Sequence, residues 1–161
     1  MAVELNDDIK ALLQEKGTIK AIASVDREGN PHVTYKDSLH INKDGNLEFY
    51  ELIETSQTNK NFVSSIWFNH KVAINILGRD KRSYQIKGTP YKAIIAGREF
   101  QRHYDLVQEQ FGDIDLSTVW VIEPEEVIEE SFEKRRLEEE KAHPLLGHLD
   151  RWVVNKESEE N

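Results

Sequence analysis

Between residues 18 and 54, three β-prone runs follow one another with only five or six residues between them. The runs are "TIKAIASV" (18–25), "HVTYKDSLHI" (32–41) and "LEFYELIE" (47–54), separated by "DREGNP" and "NKDGN". Connections this short turn the chain back on itself, because a parallel neighbour needs a crossover of a dozen or more residues. Asp44-Gly45 is a strong hairpin signal, and Gly29 ahead of Pro31 marks a second reversal. The three runs are therefore predicted to be antiparallel neighbours. The strand-helix alternation of a parallel, Rossmann-type sheet is excluded here.

Two further runs, "KVAINIL" (71–77) and "RSYQIKGTPYKAI" (82–94), pair around "GRDK", and "STVWVI" (117–122) is a last strand stopped by Pro124. Six strands joined by tight turns predict an antiparallel sheet that closes into a barrel, which removes its exposed edges. Helices flank it. Residues 6–16 place Ile9, Leu12 and Leu13 on one stripe, with Asn6 or Asp7 as cap and Gly17 beyond the end. Residues 97–111 put Phe100, His103, Tyr104, Val107 and Phe111 on one face. Beyond Pro124 a Glu-rich helical segment runs to about Ala142, with Glu130 and Lys134 as a supporting pair. A short amphipathic piece, "HPLLGHLDRWVV", follows. The expected fold is mainly β with flanking helices (α+β). Residues 1–153 form one domain with a C-terminal helical extension, and 154–161 a disordered tail.

The chain has 161 residues, enough for one domain with a sizeable core. Its net charge of −9 argues against nucleic acid or an anionic membrane as partner. Residues 123–141 carry nine glutamates against four lysines and arginines, a pattern that reads as a solvated face rather than a hydrolytic carboxylate pair. There is no cysteine, hence no disulfide framework, thiolate nucleophile or cysteine zinc site. No apolar run approaches a membrane span and no signal peptide opens the chain, which points to the cytoplasm. His143 and His148, with Asp150, are spaced as surface residues rather than as a helical ligand pair, so no metal site is predicted. Tyr84, Lys87, Tyr91 and Lys92 read as strand residues with their polar tips in water. The phosphate loops, dinucleotide fingerprints and nucleophile elbows of common enzymes are missing, and no side chain stands out as a general acid or base.

One stretch stands apart: "ETSQTNKNFVSSIWF" (54–68), where a strand gives way to a helix. Phe62, Val63, Ile66 and Trp67 recur at helical spacing, and the helix is preceded by Thr55, Ser56, Thr58, Asn59, Lys60 and Asn61. A cap needs one such residue. Several donors and a cation at the positive end of a helix suit an anion, phosphate above all.

With this element in place, residues 5–130 resemble the FMN-binding split β-barrel family related to pyridoxamine 5′-phosphate oxidase. The likeness lies in the element order, the paired strands of 18–54, the Ser/Thr-x-Lys entry into a helix, and the "YQIKG" run at 84–88. It implies a homodimer with FMN at the subunit interface. Thr58 and Lys60 would grip the FMN phosphate, assisted by Thr55, Ser56 and Asn61. Tyr35, Lys36, Asp37 and Ser38 would line the flavin ring, with Lys36 as a cation near it, and Gln85 would contribute from the 84–88 run. A nicotinamide nucleotide or another small molecule would supply electrons. The Arg-x-His substrate clamp of the oxidase has no counterpart: "GHLDRW" holds His148 and Arg151 in another order. The expectation is a flavin-dependent oxidoreductase of unknown substrate. The alternatives are a non-catalytic flavin-binding or sensor protein, and a haem-binding relative using His32, His40 or His70. Leu145, Leu146, Leu149, Trp152 and Val153 in the tail add an apolar surface for a partner subunit to cover.

Overall fold

The computed structural model describes residues 2–144. The amphipathic tail piece beyond Pro144 with its five apolar residues, His148, Asp150, Arg151 and the 154–161 tail lie outside the described residues. The element order is α1 (Asp7–Gln14), β1 (Ile19–Val25), β2 (Pro31–Tyr35), β3 (His40–Ile41), β4 (Leu47–Glu51), α2 (Gln57–Phe68), β5 (Val72–Leu77), β6 (Ser83–Ile94), α3 (Gly97–Phe111), β7 (Thr118–Glu129) and α4 (Phe132–Ala142). The strands form one antiparallel sheet in the order β2-β1-β5-β6-β7-β4-β3.

The sheet has seven strands among the described residues, not six, because the run 32–41 breaks in two. Its halves, β2 and β3, are the two edges of the sheet, yet only residues 36–39 separate them in the chain. So short a link cannot span an open seven-stranded sheet, whose neighbouring strands stand about 4.8 Å apart, so the sheet must curl until its edges meet. The link is pinned from both sides. Lys20 Nζ donates to the carbonyls of Asp37 and Leu39. Ser38 Oγ accepts the Tyr50 N–H at 3.0 Å. Burial lowers the Lys20 pKa, against the opposing pull of the Asp37 carboxylate.

Pro124 does not end β7. The ladder shifts register here: Lys87 faces Glu126 while Gly88 faces Pro124, which leaves Glu125 as an extra residue. A bulge is where a strand tolerates proline. Gly88 is required opposite it, since a Cβ would come within 2.4 Å of the Glu123 carbonyl oxygen. The strand continues to Glu129, so the Glu-rich segment is half strand and half helix, and Lys134 pairs with Glu129 rather than Glu130.

Inside the curl, Ile22, Phe49, Ile74, Ile76, Ile86, Trp120 and Ile122 pack with Ile9, Leu12 and Leu13 of α1. The α1 stripe and its Asn6 cap are as predicted, with Asn6 Oδ1 accepting the Ile9 N–H at 2.9 Å. Tyr84 belongs to this core; its ring is buried, so only the hydroxyl reaches outward, toward Asp8. A second cluster, Ile94, Val107, Leu116, Val119 and Val121, lies between α3 and the outer face of the sheet. On α3, His103 and Val107 are buried, while Phe111 at the helix end is exposed.

The α2 helix forms where its spacing predicted, but its apolar residues divide. Phe62 enters the core, edge-on to Phe49 and Trp120 with ring centroids 5.2 Å from each. Val63, Ile66 and Trp67 face outward, and Trp67 is 80% exposed. The inward face is completed by Thr58, Asn61 and Ser65 instead.

Candidate functional site

The head of α2 is built by its own sequence. Ser56 is the N-cap, its Oγ accepting the Asn59 N–H at 3.0 Å. Asn59 is locked twice: Nδ2 donates to the Glu54 carbonyl, and Oδ1 accepts from Trp120 Nε1 at 2.9 Å. Thr58 is buried, with Oγ1 3.3 Å from His32 Nε2 on β2. Asn61 is buried too, donating to Ser24 Oγ at 3.0 Å and accepting from Gln57 Nε2 at 2.7 Å. Asn61, Thr58 and Asn59 thus anchor the helix to β1, β2 and β7, and Ser56 caps it.

Other groups at this end are unspent. The N–H groups of Gln57 and Thr58 precede the first intrahelical bonds and have no protein acceptor among the described residues. The Thr55 side chain is exposed. Lys60 and Arg27 make no ion pair among the described residues, and both line a cavity of about 490 Å³. This cavity runs between α2 and the β1–β2 turn, and Gln57, Lys60, Asn61 and Ser64 line it as a helical stripe. Ser64 Oγ is buried there with no hydrogen-bond partner. Asp26 and Glu28 share the wall, but Asp26 is engaged by the backbone of Glu28 and by Asn30. Those bonds, the Asn30 side chain first, hold its carboxyl below the usual range.

Two more cavities continue along the 52–55 segment. One, of about 580 Å³, is bounded by Leu52, Glu54, Asn59, Val63, Ile95 and Trp120. The next, of about 320 Å³, is bounded by Tyr35, Lys36, Asp37, Ser38, Leu52 and Phe111, among others. Leu52 is common to these two, and Glu54, Asn59 and Val63 are common to the first two. The surface thus grades from polar and mixed in charge at Lys60, where Arg27 stands with Asp26, Glu28 and Glu54, to apolar and aromatic near Tyr35, Leu52 and Phe111.

The sequence-predicted residues fall into three groups. Thr55, Ser56, Thr58, Lys60 and Asn61 gather at the head of α2. Tyr35, Lys36, Asp37 and Ser38 gather at the barrel seam, where Tyr35 is 71% exposed and Lys36 Nζ is 2.8 Å from Glu51 Oε2. Gln85 stands apart on β6, opposite Asn75 and Ile128, on the face away from the core residues Tyr84 and Ile86. The sequence reading missed Arg27 and Ser64. Ser64 was accessible to it, because it sits four residues from Lys60 and seven from Gln57 on one helical face; Arg27 lies in a turn that gives no such signal.

Among the described residues, no group of three or more His, Asp or Glu side chains is placed to hold a metal ion, and no helix is long and apolar enough to cross a membrane.

No family model matches the chain, and no curated protein matches it. Solved structures do. HupZ of Group A Streptococcus superposes with a TM-score of 0.65 at 21% identity, over 80% of this chain and 95% of its own. A pyridoxamine 5′-phosphate oxidase-related, FMN-binding protein of Nostoc punctiforme matches with a TM-score of 0.54 at 11% identity, over 68% of this chain and 71% of its own. HutZ, the haem storage protein of Vibrio cholerae, matches with a TM-score of 0.50 at 16% identity, over 79% and 95%. At these identities the likeness is one of fold. The chain has the curled antiparallel fold of the pyridoxamine 5′-phosphate oxidase-like FMN-binding proteins, as its sequence resemblance implied, and HutZ, a haem storage protein, shares that fold.

Proposed function

We propose that the chain binds FMN and acts as a flavin-dependent oxidoreductase in the cytoplasm, as a homodimer with the flavin at the subunit interface. The observation that carries this reading is the head of α2, where Lys60, Arg27, Gln57 and Ser64 line one cavity and the first-turn N–H groups of Gln57 and Thr58 have no protein acceptor among the described residues. That donor set fits a phosphate. The apolar and aromatic surface continuing toward Tyr35, Leu52 and Phe111 fits a flat ring system joined to that phosphate. Bound flavin supplies the redox chemistry, taking a hydride and passing electrons on. The chain's residues fix its ends and exclude water. Lys36 is held by Glu51, so its charge is fixed in place at the seam rather than free to follow a ligand.

A homodimer is supported by the outward apolar stripe of α2, Val63, Ile66 and Trp67, with the exposed Val33 and Tyr35 on edge strand β2. A patch of this kind on a soluble domain marks a contact surface. A flavin-binding protein without turnover fits the same geometry and differs only in the outcome of a kinetic assay.

Haem is the second reading, favoured by the fold shared with HutZ. Two of its three axial candidates are already engaged through Nε2, His32 with Thr58 and His40 with Glu48. His70, beside Phe68, is the remaining one. The absorption spectrum of freshly purified protein, with mass spectrometry of the released ligand, separates the two. Flavin bands and an FMN mass are expected; a Soret band with no flavin overturns the FMN reading. Oxidation of NADH or NADPH then distinguishes an enzyme from a binder.

A further inference from the structure

A fourth cavity, of about 280 Å³, opens between α3 and the β3–β4 hairpin, and the flavin reading makes no use of it. Its floor is Glu48, 3% exposed on the outer face of the sheet. The imidazole of His40 reaches one carboxylate oxygen, with Nε2 at 3.3 Å from Oε1, and Asn42 Nδ2 donates to the other at 3.1 Å. His40 is itself oriented by the Ser38 carbonyl, 2.7 Å from Nδ1. Glu48 is thereby engaged at both oxygens within the protein, and its charge is balanced when His40 is protonated.

His103 is not. It is 6% exposed, its Nδ1 is 3.4 Å from the Tyr50 hydroxyl, and its Nε2 makes no hydrogen bond among the described residues. Glu48 Oε1 lies within 3.4 Å of that nitrogen, but off the line a hydrogen bond requires. Burial, opposed by the Glu48 carboxylate, lowers the His103 pKa and keeps the ring neutral. A buried ring nitrogen without a partner is uncommon in a native structure and calls for an explanation.

The rim supplies charge. Lys43 and Arg102 make no ion pair among the described residues, whereas Glu99 is already paired with Lys92 at 2.8 Å. Among the described residues Asp44, at the hairpin tip, is the one lining carboxylate without an ion-pair partner. The mouth therefore carries more free positive than negative charge, in a chain whose total is −9.

We propose that this pocket is a second ligand site, taking a small organic anion whose carboxylate or phosphate is held by Arg102 and Lys43 while its body meets Tyr50 and His103. The volume of about 280 Å³ falls just below the roughly 300–1,000 Å³ of most small-molecule sites, so the ligand is a small metabolite and not a nucleotide. The site shares no residue with the cavity at Lys60 and shares only Tyr50 with the cavity near Tyr35 and Phe111, and it stands whether or not the α2 cavity takes FMN.

The test uses the full chain, followed by NMR of the histidine ring C–H signals at constant ionic strength, with acetate and inorganic phosphate as probes and chloride as control. Saturable shifts of His40 and His103 are expected with at least one anion, and the stronger of the two identifies the oxyanion. Arg102 is exposed on α3, so Arg102→Ala leaves the fold intact and weakens binding roughly tenfold or more, while Arg102→Lys recovers part of it. His32 contacts Thr58 in the first turn of α2 and lies outside this pocket, so a shift at His103 without one at His32 sets this site apart from the head of α2. No saturable shift of His103 with either anion, or a shift unchanged in Arg102→Ala, overturns the proposal.

Discussion

Lys36 Nζ lies 2.8 Å from Glu51 Oε2, and this ion pair ties the end of edge strand β2 to β4, the neighbour of the other edge, across the seam of the curled sheet. Lys36 follows edge strand β2, Glu51 ends β4, and Glu51 is 2% exposed. The ammonium also stands 5.4 Å from the Phe49 ring centroid, and Glu51 Oε1 accepts the Ile53 N–H at 3.2 Å. Removing one partner leaves a buried charge uncompensated. Lys36→Ala is expected to cost about 3–5 kcal/mol in urea unfolding, and the double variant Lys36→Met/Glu51→Gln to recover most of it. A loss under about 1 kcal/mol, the range of exposed pairs, would show that the seam closes without the pair.

The bond from Trp120 to Asn59 holds the first turn of α2 against β7. Trp120→Phe keeps the aromatic contact with Phe62 but strips Asn59 Oδ1 of its donor, at a cost of about 1–3 kcal/mol. Asn59→Ala should lower stability similarly, and the double variant should fall well short of the sum, because both changes break one bond. Additive losses in denaturant midpoints would mean that the two residues act separately.

His40 and His103 are expected to titrate on opposite sides of the ordinary histidine value of about 6.5. For His40, burial opposes the charged form, but the hydrogen bonds to Glu48 and the Ser38 carbonyl outweigh it and raise the pKa. For His103, burial prevails over the Glu48 charge and lowers it. A raised folded value means that the His40–Glu48 contact stabilises fully below pH ~6.5 and fades as pH rises through the folded value. Glu48→Gln should therefore pull the His40 titration down in the NMR spectrum, and its stability deficit should shrink above neutral pH. A His40 midpoint unmoved by Glu48→Gln would disconnect the pair.

Much of the fold was legible because its connections are short. The hairpin signals at Gly29 and Asp44-Gly45 dictate antiparallel pairing whatever the tertiary context, and the α1 stripe has one way to face a core. The reading failed where long-range geometry decides. Nothing local shows that 32–41 must break, since the break exists to carry the chain from one sheet edge to the other. Pro124 stops a strand in isolation and is tolerated here because Gly88, 36 residues earlier, faces it in a bulge. At the site, the hydroxyl and amide cluster before α2 was visible as a set. Its division of labour was not: Asn59 and Asn61 are fixed by Trp120 and Ser24, which lie far away in sequence. The His40–Glu48–His103 pocket joins three elements and leaves no pattern in any one of them.

The outward stripe of α2 predicts an interface. Trp67→Glu places a charge where an apolar partner surface is required, and it should convert a dimer to a monomer in light scattering without unfolding the chain, because Trp67 makes no part of the core. Flavin content should fall with it if the cofactor sits between subunits. Wild-type protein that is already monomeric at micromolar concentration would remove the interface and the shared flavin together.

Lys60 gives the sharpest test of the α2 cavity. The side chain is exposed, unpaired among the described residues, and lines the cavity that also holds Arg27 and Ser64. Lys60→Ala removes one charge-assisted bond to a phosphate and leaves the Gln57 and Thr58 N–H groups in place. A hydrogen bond to a charged group contributes about 1.5–3 kcal/mol, so FMN affinity should fall roughly 10- to 150-fold. Riboflavin, which lacks the phosphate, should bind the variant and the wild type alike. Helix stability should hold or rise slightly, because a cation leaves the positive end of the dipole. Both ligands are titrated into apoprotein at one salt concentration. Equal weakening of the two would assign the effect to structure, and no weakening of either would reduce the head of α2 to a cap, with Arg27 and Ser64 lining a cavity that holds no phosphate.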